Sequence, residues 1–150
     1  MKNRVKPIPD GYHSVTPYLV LKGAAAAIDF YQRAFGAKEL FRMPGPGGKV
    51  MHAEITIGDS RIMLTDESLQ PGKASGTLTS IYLYVEDVDT TFKQAIKAGG
   101  KETISVRDEP WGDRTGKLTD PFGQRWQLAT HKEDLTPQEI EERVAAALAK

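Results

Sequence analysis

An α+β fold is predicted for this chain: two tandem βαβββ units forming an incomplete barrel with outer helices and a central cleft, followed by a C-terminal helix. Three observations predict it. Residues 16–36, TPYLVLKGAAAAIDFYQRAFG, and residues 80–100, SIYLYVEDVDTTFKQAIKAGG, share one plan without a gap: an apolar β-branched and aromatic run, then a helical pattern closed by glycine. Tyr18 and Leu19 fall on Tyr82 and Leu83, and Ala34 and Gly36 fall on Ala98 and Gly100. The same offset carries Ile62-Met63-Leu64 onto Trp126-Gln127-Leu128, where each unit's last strand belongs. The repeats span about 14–66 and 79–131, the last helix about 137–149, and the whole chain 1–150 is taken as one domain.

Residues 1–13 hold Pro7, Pro9 and Gly11 among charges and read as an extended surface arm. The first strand is expected over 15–21, irregular at Pro17, which cannot donate to a ladder. Ala27, Ile28, Tyr31 and Phe35 recur at helical spacing over 24–35, and Gly36 suits the left-handed closing position. A strand over 39–43 ends in Pro44-Gly45-Pro46-Gly47-Gly48, which lacks the lysine and hydroxyl of a phosphate loop and is a turn. Residues 50–57 alternate: Met51, Ala53, Ile55 and Ile57 on one face, His52, Glu54 and Thr56 on the other. Gly58-Asp59 turns this strand into another over 61–65. Residues 67–78, ESLQPGKASGTL, form the linker between the units.

In the second unit a strand begins at Ser80. Asp87 caps a helix that carries Val88, Phe92, Ala95 and Ile96 inward, and Gly99-Gly100 stops it. A strand over 103–106, a loop over 108–112 and a hairpin of 114–118 with 125–129 around Asp120-Pro121-Phe122-Gly123 complete it. Thr136, Pro137 and Glu139 then signal a capping box, and Ile140, Val144 and Leu148 make one thin apolar stripe. That helix packs on the body or on a second subunit.

Twenty basic and twenty acidic residues cancel, which favours neither nucleic acid nor an anionic membrane as partner. Without cysteine there are no disulfides, thiolate ligands or thiol nucleophiles. No apolar run reaches a membrane-spanning length and the start lacks a signal peptide's apolar core, so a cytoplasmic protein is expected.

Alternation assigns the cleft. With Leu19 and Leu21 under the first helix, Thr16, Tyr18 and Val20 look in, as do Met63, Thr65, Ser80, Tyr82, Tyr84, Arg125, Gln127 and Ala129, joined by His52 and Glu54. Such a mixed lining suits an amphipathic small molecule.

The segments AAAAIDFYQRAFGAKELFRMPGP, VMHAEITIGDSRIML, LYVEDVDTTFKQAIKAGGK and WGDRTGKLTDPFGQRWQLATH, in this order, resemble the vicinal oxygen chelate superfamily over about 12–131. That group includes glyoxalase I, extradiol dioxygenases and bleomycin- and fosfomycin-resistance proteins, and the chain looks closest to its PhnB-like branch. The resemblance implies the doubled βαβββ fold, a homodimer, and in metal enzymes of the group a divalent ion held by one inward residue from each of four strands. Those positions fall on Thr16, Met63, Ser80 and Gln127, none of them histidine or carboxylate, which argues against the usual metal site.

Two readings of function follow. The first is a metal-independent, cofactor-free binding protein for an amphipathic small molecule. The second is a glyoxalase-like metal-dependent lyase or isomerase whose site has moved to His52 and Glu54, as ligands or as a base with its orienting carboxylate, with His13 or Thr16 as a third ligand. Trp111 supplies stacking area at the cleft mouth and Arg114 a planar fork for an oxyanion, set against a plain Asp113–Arg114 surface pair. Tyr82 and Tyr84 need hydroxyl partners wherever they are buried. Met63 is grouped with Met51 and Met43 as ordinary packing. A third reading gives the last helix a partner-binding role.

Overall fold

The computed structural model describes residues 5–69 and 79–150. Residues 1–4 of the expected arm and 70–78 of the expected linker lie outside the described residues. The chain divides into two units, residues 1–75 and 76–150.

In unit 1, β1 (Tyr18–Leu21) leads into α1 (Ala24–Phe35), then β2 (Lys38–Pro44), β3 (Val50–Ile57) and β4 (Ser60–Asp66). The sheet order is β1-β4-β3-β2, with β1 parallel to β4 and the other pairs antiparallel. Unit 2 repeats this with β5 (Ser80–Tyr84), α2 (Val88–Lys97), β6 (Lys101–Asp108), β7 (Asp113–Thr119) and β8 (Arg125–His131), ordered β5-β8-β7-β6. The duplication reaches the register: Tyr18 pairs with Met63 as Tyr82 pairs with Gln127, and Leu19 with Leu64 as Leu83 with Leu128. Neither four-stranded sheet closes into a barrel.

Each helix covers one face of its own sheet. Ala27, Ile28, Tyr31 and Ala34 of α1 are buried, as are Leu19, Leu21, Ala53, Ile55, Ile62 and Leu64 of the strands. Each large aliphatic or aromatic side chain so buried is worth about 1.5–3 kcal/mol. Gly36 closes α1 at φ 68°, its N–H donating to the Gln32 carbonyl. In α2, Val88, Phe92 and Ala95 are buried, as are Leu118, Trp126 and Leu128. Gly116 on β7 admits the Phe92 ring: a Cβ there would lie 2.8 Å from it.

Both helix entrances are tied to the end of the unit's last strand. Asp66 of β4 accepts the N–H groups of Gly23 and Ala24, so α1 starts without a cap from Gly23 itself. In the matching place Thr130 of β8 accepts the N–H of Val88, while Asp87 caps α2 through Thr90.

Several expectations change. The first strand begins at Tyr18, not Val15, because Pro17 precedes the ladder; Val15 is exposed. Met51 does not share a face with Ala53. The β2–β3 register skips it (Met43 opposite His52, Pro44 opposite Val50), so Val50 turns inward and Met51 outward. Met43 and Met51 are exposed side chains rather than core packing. Thr65 is fully buried, its hydroxyl donating to the Met51 carbonyl at that bulge. Ile96 is only half-buried.

The last helix, α3 (Pro137–Leu148), forms with the capping box of Thr136 and Glu139. None of its residues is buried within the chain: Ile140 and Val144 are half-covered and Leu148 is exposed. No helix among the described residues is long and apolar enough to cross a membrane.

Candidate functional site

The sheet faces away from the helices carry the polar and aromatic side chains, and each unit builds something different there.

In unit 1 the arm folds over the sheet. A turn closed by the Tyr12 N–H on the Pro9 carbonyl (3.1 Å) aims the Tyr12 hydroxyl at Glu54, to which it donates. The Arg61 guanidinium lies 4.8 Å from the Tyr12 ring centroid, a cation–π contact that clamps the arm from below. Burial and the bond to Glu54 hold the Tyr12 hydroxyl above its ordinary range, against the pull of Arg61. Beneath the arm is a pocket of about 280 Å³ lined by Pro7, Ile8, Pro9, Tyr12, His13, Ser14, Thr16, Glu54 and Met63. Three predicted residues, Thr16, Glu54 and Met63, meet there, with His13. Among the described residues Glu54 is the one carboxylate in a largely apolar lining.

His52 stands beside this pocket rather than in its wall. Its Nε2 is 3.7 Å from Glu54 Oε1, beyond a hydrogen bond, and its ring sits between Tyr18 (5.9 Å) and Phe41 (6.4 Å). The expected His52–Glu54 dyad is therefore loose, and the firm partner of Glu54 is Tyr12. Tyr12 escaped the sequence reading because nothing in the spacing shows where an arm folds back.

Unit 2 builds a hydrogen-bonded cluster around Asp113, only 3% exposed. Asp113 Oδ2 accepts from the hydroxyls of Tyr82 (2.6 Å) and Tyr84 (2.9 Å), and Oδ1 from His131 Nδ1 (2.7 Å). The other His131 nitrogen meets Asp134 at 2.8 Å. Trp111 Nε1 donates to the Tyr82 hydroxyl at 3.3 Å, which seats the indole beside the tyrosine pair, whose rings lie 5.1 Å apart. Tyr82 and Tyr84 remain 39% and 58% exposed, so the rings offer an open aromatic surface over a buried charge. The loop holding Trp111 turns at Gly112 (φ 97°), where a Cβ would come within 2.6 Å of the Glu133 carbonyl oxygen.

The electrostatics follow from the bonding. Burial pushes the Asp113 carboxyl up, but donation from Tyr82, His131 and Tyr84 outweighs it and holds the group below the usual carboxylate range. Burial, then the bond to Asp113, drives Tyr82 far above the ordinary tyrosine range; for Tyr84 the bond to Asp113 leads. Bonds to Asp113 and then Asp134 raise His131 above its ordinary 6.5. A raised histidine stabilises the fold fully below the unfolded value, and that contribution is lost as pH rises through the folded value. Melting temperature is therefore expected to fall as pH rises from about 6 to about 9, and His131→Gln to flatten that slope. An equal slope in both proteins would remove the role assigned to His131.

The Asp113–Arg114 surface pair, set as the alternative to ligand contact, does not form. Successive strand residues face opposite ways, so Arg114 lies toward α2, where its fork grips Asp89 (2.8 and 3.0 Å) and reaches Asp108 (3.2 Å). Trp111 and Arg114 therefore do not act as one contact set. Gln127 donates to the Thr115 hydroxyl at 3.2 Å, and Ser80 stands on the same face one rung away.

The metal positions implied by the resemblance thus hold a hydroxyl (Thr16), a thioether (Met63), a hydroxyl (Ser80) and an amide already bonded (Gln127). That donor set does not fit a divalent ion. Among the described residues no group of three or more His, Cys, Asp or Glu is gathered closely enough to hold one.

A doubled βαβββ chain with these open, side-chain-lined sheet faces belongs to the glyoxalase/bleomycin resistance protein/dioxygenase superfamily, whose family model matches residues 13–128. Among its relatives is the protein Rv0887c of Mycobacterium tuberculosis (strain H37Rv), 40% identical over 136 residues that span 85% of this chain and 80% of the relative. Among solved structures, TioX from Micromonospora sp. ML1 superposes with a TM-score of 0.67 at 27% identity, covering 79% of this chain and 98% of that one. The PhnB protein of Bacillus cereus does so at 0.65 and 22%, covering 79% and 99%, which is a likeness of fold.

Proposed function

We propose that this chain is a small-molecule-binding member of the superfamily, holding an amphipathic ligand by apolar burial and a few hydrogen bonds, without a resident divalent ion. The observation that carries this reading is the unit 1 pocket. It combines an apolar wall of Pro7, Ile8, Pro9 and Met63 with a single carboxylate held in place by Tyr12. That lining suits a ligand with an apolar body and a cationic or hydrogen-bond-donating group. The exposed rings of Tyr82 and Tyr84 and the half-buried indole of Trp111 in unit 2 add flat area of the kind that planar ligands stack on, which supports the same reading.

The test uses a matched pair of probes, 2-naphthylmethylamine and its neutral N-acetyl derivative. Calorimetric titration is expected to show saturable binding, with the amine favoured by roughly tenfold, about 1.4 kcal/mol. Glu54→Gln keeps an acceptor for Tyr12 and is expected to erase that preference with an unchanged circular dichroism spectrum. Added zinc or manganese is expected to change neither affinity. Binding that requires the metal, or an equal preference in the variant, would overturn the proposal.

A further inference from the structure

A second cavity, in unit 2, is built differently from the pocket under the arm. It has a volume of about 460 Å³ and is lined by Ser80, Thr103, Ile104, Lys117, Leu118, Thr119, Arg125 and Trp126. Among the described residues its charged lining is Lys117 and Arg125, both cations, with no carboxylate.

Register explains how the cations meet. Arg125 pairs with Ser80 on one side and Thr119 on the other, so the three share a rung and a face. Lys117 sits on the next rung of β7, opposite Gln127. This makes Lys117 and Arg125 diagonal neighbours, roughly 7–8 Å apart at the backbone. Like charges so placed repel each other unless something negative lies between them.

Among the described residues no carboxylate fills that role. Arg33, Arg42, Arg107, Arg114 and Arg143 each pair with a carboxylate, and Arg61 lies against Tyr12. Among the described residues Arg125 is the arginine without such a partner, and Lys117 has none either. Residues 1–4 and 70–78 contain no aspartate or glutamate, so their side chains bring no carboxylate.

We infer that this cavity is a binding site for an organic molecule bearing an oxyanion, a phosphate or carboxylate group. The planar Arg125 fork and the Lys117 point charge neutralise the group, and the hydroxyls of Ser80, Thr103 and Thr119 complete its hydrogen bonds. The volume exceeds that of a bare phosphate, and the half-buried Ile104 offers apolar area for the ligand's body. The site shares no lining residue with the Glu54 pocket, and its ligand chemistry is of opposite sign.

The test titrates the full chain with phenyl phosphate, benzoate and neutral benzyl alcohol at constant ionic strength of about 0.15 M, since charge contacts are salt-sensitive. Backbone amide shifts at Ser80 and Thr119 report occupancy. At least one anion is expected to bind saturably, well ahead of the alcohol; phenyl phosphate ahead of benzoate identifies the group as phosphate, the reverse as carboxylate. Arg125→Gln is expected to weaken the preferred anion at least tenfold and Lys117→Gln severalfold. Lys97→Gln, on the exposed face of α2, is expected to change nothing, and Glu54→Gln to leave anion binding intact. Equal affinity in Arg125→Gln, or no preference for either anion over the alcohol, would overturn the inference.

Discussion

Replacing Asp66 by alanine is expected to destabilise the chain by about 3 kcal/mol, among the largest effects of any single substitution in unit 1. Asp66 is 2% exposed, and its two oxygens accept three backbone N–H groups: Gly23 at 3.1 Å, Ala24 at 3.0 Å and Val50 at 2.6 Å. A buried donor left without a partner costs about 1–3 kcal/mol, and loss of a helix cap about 0.5–2 kcal/mol. The three donors lie close together and relax together, so the total falls short of a simple sum. Asp66→Asn keeps one acceptor oxygen and is expected to recover roughly half. Urea denaturation measures both, and a loss below about 0.5 kcal/mol for alanine would show that α1 does not depend on this anchor.

In unit 2 the corresponding large effect belongs to Asp113, by a different route. Asp113→Ala removes the common acceptor of Tyr82, Tyr84 and His131, and is expected to cost about 3 kcal/mol, because three hydrogen bonds to one charged acceptor, each worth about 1.5–3 kcal/mol, are lost together while their part-exposed donors recover some of that from water. The optical signature is more specific than the stability loss. Burial and then the bond to Asp113 make the Tyr82 hydroxyl resist ionisation, and the bond to Asp113 leads for Tyr84, so part of that resistance depends on the carboxylate. Asp113→Asn removes the charge but not the shape. Tyrosinate absorbance is then expected to rise at distinctly lower pH for two of the five tyrosines, with His131 falling back toward its ordinary value. A superimposable tyrosine titration in wild type and Asp113→Asn would sink this account of the cluster.

The bearing on function is direct. The Asp113 network ties Tyr82, Tyr84 and Trp111 together although the two tyrosine rings remain part-exposed. A preorganised aromatic surface loses little side-chain entropy when a ligand stacks on it.

Periodicity and turn chemistry made most of the fold legible. The α1 pattern of Ala27, Ile28 and Tyr31, closed by Gly36, marks the helix over the span where it forms, and the alternation of 50–57 marks β3 equally well. The repeated plan with its constant offset foretold two sheets of the same order, and the shared register of Tyr18–Met63 and Tyr82–Gln127 is its physical counterpart. What alternation could not show was a bulge. One skipped residue in the pairing of β3 sends Met51 outward and Val50 inward, and no local propensity in VMHAEITI announces it.

The candidate site was legible only in part, for a related reason. Tyr82, Tyr84, Trp111, Glu54, Thr16 and Met63 were placed by spacing, and each lies where a polar or aromatic side chain meets an open sheet face or pocket. Asp113 and His131, the centre of the strongest network, were not among them. Asp113 shares strand parity with Thr115 and Lys117, a signal that could have found it, but the expected strand began only at Arg114 while β7 begins at Asp113. Its pairing across β7 and β8 with His131 depends on hairpin register, which the turn at 120–123 sets in three dimensions.

The amino-acid sequence by itself determined the elements, their duplication, the covered face of each sheet and the residue types at the four positions that the resemblance marks for a metal. These are properties of side-chain period and residue type, and both act over a few residues. Tertiary structure alone decided that the arm turns Tyr12 onto Glu54, that Asp113 gathers two tyrosines and a histidine, and that Lys117 and Arg125 face one cavity without a carboxylate. Those contacts join residues far apart in the chain, and their existence follows from strand register and chain reversal, which no local pattern encodes.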